Sequence, residues 1–316
     1  MRRVQDVDLR LLRVFRAIVD AGGLVGAQQT LNVSQSTLST QLADLEKRLG
    51  FRVCYRGRSG FSLTTAGQQI YDACDELFSA ADRFQNTAAS ISGELKGVLR
   101  LGIVDAMITN PAWDLAQILA EFNERANKTV IDLSVDSPGD MERMILEGSR
   151  DVAIGGSFVK KTVGITYIPL FRELHAMFCS ARHPLAGPKS VSSAQLQRHS
   201  FVTRRYLHRC DLKRIGHLSP SAIVEEMEAQ ALLIQSGRFI GFLPVHYAET
   251  LPGLVRINTN EDLEYYSSFY LLHKANADEN LLVRCFVNRV RECRLDISGE
   301  ARRTIIEPEG SIGKGN

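Results

Sequence analysis

The sequence predicts an α/β protein preceded by a helical N-terminal module and a long single helix. Three patterns in the 316-residue chain support this prediction. Apolar residues recur at helical spacing near the N-terminus, a heptad repeat follows, and strand and helix patterns then alternate along most of the remaining chain. These patterns predict a module, a long helix, a hinge, a two-lobed domain and a tail, at residues 1–65, 66–92, 93–97, 98–297 and 298–316.

The composition is that of a chain that folds into water-exposed domains. It is 44% hydrophobic and 23% charged, which is ordinary for such proteins. We find no charged-then-apolar leader and no apolar run long enough to span a bilayer, so we expect a cytoplasmic protein with no membrane partner. The six cysteines form no CxxC pair, and this favours reduced thiols.

Positive charge is concentrated at the N-terminus. Residues 1–65 hold ten Lys or Arg against five Asp or Glu, a net charge of +5, whereas the rest of the chain sums to −3. A basic module joined to a near-neutral body indicates a polyanionic partner for the module alone. A merely solvated basic surface is the alternative.

Two helices and a tight turn precede a third, amphipathic helix. The stretches "VDLRLLRVFRAIVDAG" and "LVGAQQTLN" have helical periodicity, and Asn32 and Val33 form a short connection. Ser34 is a good N-cap for the third helix, because its hydroxyl can accept a bond from a free backbone N–H. That helix has a narrow apolar stripe, which must be buried: Leu38, Leu42, Leu45 and Leu49.

The other face of the third helix is short, polar and almost free of charge in its first two turns. Such a face lets a backbone approach the DNA major groove and lets short side chains reach base edges. The following stretch, "FRVCYRGRSGFSLTTAG", alternates like a two-stranded hairpin with arginines at its turn. Together these elements predict a winged helix-turn-helix. The candidate DNA contacts are Gln35, Ser36, Ser39, Thr40, Lys47, Arg56 and Arg58.

The long helix carries a self-pairing pattern. Ile70, Leu77, Phe84 and Ile91 recur every seven residues, with Ala73, Ala80 and Thr87 between them. Alanines at these positions permit two helices to approach closely. We therefore predict a dimerisation helix at 66–92, with packing of the seam on its own chain as the alternative.

The domain from residue 98 alternates strands and helices, which indicates repeated βαβ units and a mainly parallel sheet. We predict strands in "VLRLGIV", "TVIDLSV" and "RDVAIGG", with a helix from Pro111 to Asn123 and another in "GDMERMILEG". A second lobe, at about 165–268, contains the strand "SFVTR", a basic loop, a helix around "SAIVEEMEAQALLIQSG" and the strand "RFIGFLP". Residues 269–297 return to the first lobe, which otherwise spans about 98–164.

The chain resembles the LysR-type transcriptional regulators over nearly its whole length. The resemblance rests on "LRLLRVFRAIVDAGG", "TLNVSQSTLSTQLADLEKRLG", "FRVCYRGRSGFSLTTAG", "MERMILEGSRDVAIGG" and "ALLIQSGRFIGFLPVHYAE". It implies a DNA-binding module, a dimerising linker helix and a two-lobed, periplasmic-binding-protein-like effector domain. The implied partners are double-stranded DNA with an inverted repeat, a small-molecule effector such as an organic acid, further copies in a homodimer or homotetramer, and RNA polymerase. No cofactor, metal or enzymatic activity is implied.

In a two-lobed α/β domain, a ligand binds between the lobes, near the loops that follow the strands. This rule selects Asp105, Met107, Thr109, Ser137, Gly156, Ser157, Thr203 and Arg204 as candidate effector contacts. Asp105 raises a difficulty, because a carboxylate in the cleft opposes an anionic ligand unless it is paired or points away.

The basic segment "TRRYLHRCDLKRIGH" leaves several interpretations open. It is a solvated face, an anion clamp built on Arg204 or Arg205, or a redox switch at Cys210 favoured by neighbouring cations. A metal site from His199, His208, Cys210 and His217 lacks a standard ligand spacing. The sequence contains no hydrolase elbow, phosphate loop or dinucleotide fingerprint, which argues against an enzyme. A plain solute-binding protein is a further alternative, but that interpretation does not explain residues 1–92.

Overall fold

The computed structural model describes residues 5–57, 60–156, 158, 161–187, 189–259, 263–277 and 280–296. Arg58, Ser157 and the predicted tail at 298–316 lie outside these residues. The chain forms two compact units, residues 1–84 and 85–316. None of the described helices is long and apolar enough to cross a membrane.

The N-terminal unit consists of helices and one hairpin. Its elements are α1 (Asp6–Asp20), α2 (Leu24–Leu31), α3 (Gln35–Leu49), β1 (Cys54–Gly57), β2 (Gly60–Leu63) and the start of α4 (Thr65–Ile91). The strands β1 and β2 are antiparallel. The predicted stripe on α3 lies in the core, where Leu38, Leu42 and Leu45 pack with Phe15 and Phe78. The order helix, short helix, turn, helix and hairpin is that of a winged helix-turn-helix.

The turn before α3 has the geometry that its residues favour. Asn32 adopts the left-handed conformation with φ 51°, which asparagine tolerates better than most residues. Ser34 then caps α3 by accepting a hydrogen bond from the backbone N–H of Thr37 at 3.2 Å. At the other end of α3, Arg48 pairs with the buried carboxylate of Asp8 on α1. The hydrogen bond from Arg48 lowers the pKa of Asp8, so the pair stays ionised at neutral pH.

The heptad seam of α4 is mostly exposed in the single chain. Ile70 packs partly against the N-terminal core, whereas Leu77, Phe84 and Ile91 are 39%, 75% and 85% exposed. Large apolar side chains repeated along one exposed stripe are unusual for a helix surface. The stripe from Leu77 to Ile91 therefore lacks an apolar partner within the described chain.

In the C-terminal unit, nine strands of the described chain form one sheet in the order β4-β3-β5-β11-β6-β9-β7-β8, with β10 beside β6. The strands are β3 (Lys96–Ile103), β4 (Lys128–Val135), β5 (Val152–Gly156), β6 (Ile165–Ser180), β7 (Ser200–Arg204), β8 (Ala222–Val224), β9 (Phe239–Pro244), β10 (Leu254–Arg256) and β11 (Tyr265–Lys274). The helices are α5 (Leu115–Arg125), α6 (Pro138–Glu147), α7 (Ser193–Leu196), α8 (His208–Ile215), α9 (Met227–Gln235), α10 (Val245–Ala248) and α11 (Leu281–Asp296).

The long strands β6 and β11 pair antiparallel from Ile165 opposite Lys274 to His175 opposite Tyr265, and they run through both lobes. Lobe I packs α5, α6 and α11 around Phe122, Ile145 and Phe286. Lobe II has its own apolar clusters around Phe201, Phe242 and Ile234. Each lobe thus has a separate core, and the two strands join them.

The structure corrects four details of the sequence-based fold. The sheet is mixed rather than mainly parallel, because β6 and β11 pair antiparallel with each other and with β5, β9 and β10. The predicted helix from Pro111 begins only at Leu115. There, Asp114 accepts a bond from the N–H of Gln117 at 3.0 Å, while Asn110 closes a local turn by accepting from Ala112. The predicted basic loop contains α8, and the predicted helix around "SAIVEE" begins as the strand β8, which pairs parallel with β7.

Candidate nucleic-acid interface and ligand cleft

The exposed face of α3 presents short polar groups, as its sequence suggests. Gln35, Ser36 and Thr40 are exposed and Ser39 is half-buried, while Lys47 is exposed near the end of the helix. The hydroxyl of Thr40 donates to the carbonyl of Ser36 at 3.0 Å, so its oxygen remains free to accept from a base edge or water. The face therefore offers both donors and acceptors with no carboxylate in its first two turns.

Arg56 has a role that sequence reasoning missed. Its guanidinium donates to Glu46 Oε2 at 2.7 Å and to the hydroxyl of Ser39 at 3.2 Å. Glu46 also accepts from the backbone N–H of Val53 at 3.0 Å. Arg56 and Glu46 thus fix the hairpin against α3, so the guanidinium is already partly neutralised. A sequence pattern offers no signal for this pair, since the two residues belong to different elements.

A cleft lies between the lobes of the C-terminal unit and contains about 310 Å³ of space not filled by atoms, part of it open to solvent. Both lobes contribute to its walls. The lining residues are Val104, Asp105, Pro138, Gly156, Glu173, His175, Arg204, Tyr206, Leu207, Met227, Ser267 and Phe269. The cleft combines apolar and aromatic surface with a few charged groups, which is the usual character of a small-molecule site.

The predicted effector residues divide into two groups. Asp105, Gly156 and Arg204 line the cleft. The other described ones do not line it: Met107 packs in the core of lobe I, Thr109 bonds to His246, Ser137 is exposed beside the lining residue Pro138, and Thr203 is fully buried and donates to Asp211. All of these residues were predicted because they follow or end a strand. Whether a side chain reaches the cleft depends on local packing, which that rule does not include.

Arg204 is the most unusual charged residue of the cleft. Its exposed fraction is only 3%, and its Nε has no hydrogen-bond partner. No carboxylate of the described residues lies within ion-pairing distance, and its guanidinium carbon lies 5.1 Å from the ring centre of Tyr206. The neighbouring Arg205, in contrast, is exposed and pairs with Glu225. An arginine stays charged when buried, so Arg204 is a fixed positive charge in the wall of the cleft.

Glu173, His175 and His246 form a buried network that sequence reasoning also missed. The two carboxylate oxygens of Glu173 lie 2.8 Å from His175 Nε2 and 2.9 Å from His246 Nε2. Burial alone would raise the pKa of Glu173, but the bonds to the two imidazoles lower it to about 2. The alternation in "RELHA" was a usable signal, because it places Glu173 and His175 on one face of a strand.

Two hydrogen bonds connect lobe I to lobe II at the cleft. The hydroxyl of Thr109 lies 2.9 Å from His246 Nδ1. The backbone N–H of Met227, the first residue of α9, donates to Asp105 Oδ2 at 2.5 Å. The carboxylate of Asp105 is therefore partly satisfied by the positive end of a helix.

The cysteines give little support to a redox switch. Cys210 is exposed, whereas Cys179 is fully buried in a lobe II cluster, where burial raises the pKa of its thiol to about 11. A thiol that remains protonated at neutral pH is a poor partner in thiolate exchange. Among the residues that the structure describes, no three His, Cys, Asp or Glu side chains are grouped to hold a metal ion. The side chain of His208 lies outside that description.

Comparisons with known proteins identify the same family in both the N-terminal and the C-terminal part of the chain. Residues 9–68 match the family model described as bacterial regulatory helix-turn-helix protein, lysR family, and residues 92–294 match the LysR substrate binding domain. The HTH-type transcriptional activator BauR of Pseudomonas aeruginosa is 30% identical over 293 residues, covering 91% of this chain and 96% of that protein.

Two solved structures share the fold. The LysR family transcriptional regulator CbnR has a TM-score of 0.65 at 18% identity, covering 90% of this chain and 99% of its own. Full-length CbnR in complex with its target DNA gives a TM-score of 0.63 with the same identity and coverage.

The buried network predicts how the stability of the C-terminal unit depends on pH. Burial lowers the pKa of His175 below that of a free imidazole, so as the pH falls from 7 to 5 the unfolded chain binds more protons at this residue than the folded chain does. The free energy of unfolding should therefore fall as the pH falls, with His175 contributing up to about 1.4 kcal/mol per pH unit. The variant His175→Gln, which keeps a donor beside Glu173, should show a shallower slope in urea unfolding between these pH values. Equal slopes in the two proteins would contradict this account.

Proposed function

The chain belongs to the LysR family of bacterial transcriptional regulators, which bind DNA, and from this premise we propose that its activity is controlled by a small carboxylate effector held at Arg204. The observation that carries the proposal is the buried, unpaired guanidinium in the cleft between the lobes. Burying a charge without a counter-ion costs several kcal/mol. A bound carboxylate would offset that cost through two parallel, charge-assisted hydrogen bonds.

Control of DNA binding requires that the effector prefer one arrangement of the lobes. Arg204 belongs to lobe II, whereas Asp105 and Gly156 belong to lobe I. A ligand that contacts both walls stabilises whichever tilt brings them to the correct separation. We propose that this tilt changes the spacing of the two DNA-binding modules in an oligomer, and so changes the bend of the DNA.

For DNA recognition, we propose that Gln35, Ser36, Ser39 and Thr40 contact bases while Lys47, Arg56 and Arg58 act on the phosphate backbone. The exposed, uncharged first turns of α3 support the first group. The Arg56–Glu46 pair supports a smaller electrostatic role for Arg56 than for a free arginine. An inverted-repeat operator follows if two modules are related by a two-fold axis.

We further propose that the exposed seam of α4 pairs two chains, and that the effector domains assemble these dimers into a tetramer. The exposed Phe84 and Ile91 support the pairing. Buried against a second helix, each would contribute about 2 kcal/mol.

Removal of the charge at Arg204 tests the effector proposal. In calorimetric scans against a panel of small organic acids and amino acids, a ligand at 100 times its dissociation constant should stabilise the wild-type protein by about 2.7 kcal/mol. Arg204→Gln should lose this stabilisation, while the neighbouring Arg205→Gln should keep it because Arg205 is exposed and paired with Glu225. Equal stabilisation of both variants would exclude Arg204 as the ligand contact.

Selection of bound sequences from random DNA tests the recognition helix. The wild-type protein should enrich an inverted repeat, and Gln35→Ala should relax the preference at one position in each half-site, by about 1–3 kcal/mol of discrimination. The control Lys47→Ala should weaken binding similarly for all sequences, since a phosphate contact carries no base information. A uniform loss for Gln35→Ala would contradict a base-reading role.

A charge in the α4 seam tests dimerisation. Phe84→Glu should lower the oligomeric state in sedimentation velocity at micromolar concentration, because the carboxylate would be buried against its symmetry mate. Gln85→Glu introduces the same charge at an adjacent exposed residue off the seam and should leave assembly unchanged. If both variants keep the wild-type state, the seam does not pair two chains.

A further inference from the structure

The charges that line the cleft do not suit a simple anion. Arg204 is the one cation of fixed charge among the described lining residues, and it faces two carboxylates, Asp105 and Glu173. A plain organic acid placed at Arg204 would add a third negative group in a confined, partly buried space. Coulomb repulsion between groups a few ångströms apart is substantial at the low effective dielectric of such a site. The lining therefore favours a ligand that is not purely negative.

The two carboxylates differ in what they can still bind. Both oxygens of Glu173 are occupied by the imidazoles of His175 and His246, and the pKa of Glu173 is low because of them. Asp105 is different, because only Oδ2 is engaged, with the N–H of Met227. Its second oxygen, Oδ1, makes no hydrogen bond with any residue that the structure describes. Asp105 is therefore the carboxylate that has an acceptor available for a ligand.

Arg204 and Asp105 lie on opposite walls and do not pair with each other. Arg204 ends strand β7 in lobe II, and Asp105 follows strand β3 in lobe I. Both line the same cleft, yet they are not within the 4.0 Å of an ion pair. The same cleft is also lined by apolar surface from Leu207, Met227 and Phe269. A cleft that holds an unpaired positive group, a negative group with a free acceptor and apolar surface matches a ligand that carries both charges on a short carbon chain.

We propose that the effector is a small amino acid or a related zwitterion, with its carboxylate on Arg204 and its ammonium group on Asp105 Oδ1. This inference rests on the proposed effector function and specifies its chemical class. The short carbon chain between the charged groups lies against Leu207, Met227 and Phe269. Asp105 thus becomes the residue that selects an amino acid over the plain acid of the same length.

The test compares matched probes on the full-length protein by titration calorimetry. The probes are α- and ω-amino acids of two to six carbons, the plain carboxylic acids of the same lengths, and the corresponding primary amines. At one chain length, an amino acid should bind at least ten times more tightly than the matched acid, and the amine should not bind measurably. Removing one charge-assisted hydrogen bond from a buried site is enough to produce a difference of this size.

Asp105→Asn separates charge from structure. Asparagine keeps an oxygen that can accept from the N–H of Met227, so the start of α9 is retained, but it removes the negative charge. The variant should lose the preference for the amino acid, and its affinity for the plain acid should equal or exceed that of the wild type. Asp114→Asn is the control, because Asp114 also accepts a hydrogen bond from a backbone N–H in the first turn of a helix, α5, but does not line the cleft, and it should keep the preference.

The outcomes distinguish this inference from the effector proposal. If plain acids bind as tightly as amino acids and Asp105→Asn changes neither, the zwitterion is excluded while Arg204 remains the effector contact. If no acid and no amino acid binds to the wild-type protein, both proposals are wrong. An amino-acid preference that survives in Asp105→Asn would also overturn the role of Asp105.

Discussion

The antiparallel pairing of β6 with β11 is the constraint on which the C-terminal unit depends. Because the two strands run through both lobes, neither lobe can separate without breaking a ladder that extends from Ile165 to His175. The lobes can therefore change their relative tilt only by bending or twisting these strands. Four residues of these strands line the cleft, so the strands that join the lobes also form part of its wall: Glu173, His175, Ser267 and Phe269.

The polar side chains on and beside these strands pack closely and bond to one another. His175 stacks on Tyr265 with ring centres 4.7 Å apart, and Tyr265 in turn donates to Asp211 at 3.2 Å. Asp211 also accepts from Thr203 at 2.8 Å, and burial raises the pKa of its carboxyl. Thr203, Asp211 and the hydroxyl of Tyr265 are thus hydrogen-bonded to one another, and an unsatisfied buried group among them would cost about 1–3 kcal/mol. Arg204, buried in the wall of the same cleft, has no hydrogen-bond partner at its Nε.

The sequence predicted those features that depend on local periodicity. The leucine stripe of α3, the Ser34 cap and the exposed seam at Phe84 and Ile91 all follow from residue spacing within one element. Contacts between segments that are far apart in the sequence could not be predicted from it. The pairing of Glu46 with Arg56 and the meeting of Glu173 with His246 join residues from separate elements, and nothing in the chain encodes their contact in a readable pattern.

The predicted cleft residues show the same limit of sequence-based prediction at the level of single side chains. Asp105, Thr109 and Arg204 were all identified as loop or strand-end residues, and each lies close to the boundary between the lobes. Met107, only two residues beyond Asp105, instead packs into the core of lobe I, because the backbone turns at Ala106 with φ 59°. Position along the chain therefore located the cleft, while backbone geometry decided which side chains reach it.

The contacts across the cleft are weak enough to act as a switch. The bonds from Met227 to Asp105 and between Thr109 and His246 each contribute about 1 kcal/mol, or somewhat more where the carboxylate is involved. Reversing a population from 1:99 to 99:1 requires about 5.5 kcal/mol of differential binding. A ligand that pairs one charged group with each wall can supply energy of that order, whereas a ligand held by one wall binds both tilts almost equally. Contact with both lobes at once is therefore the physical requirement for control, and the positions of Arg204 and Asp105 satisfy it.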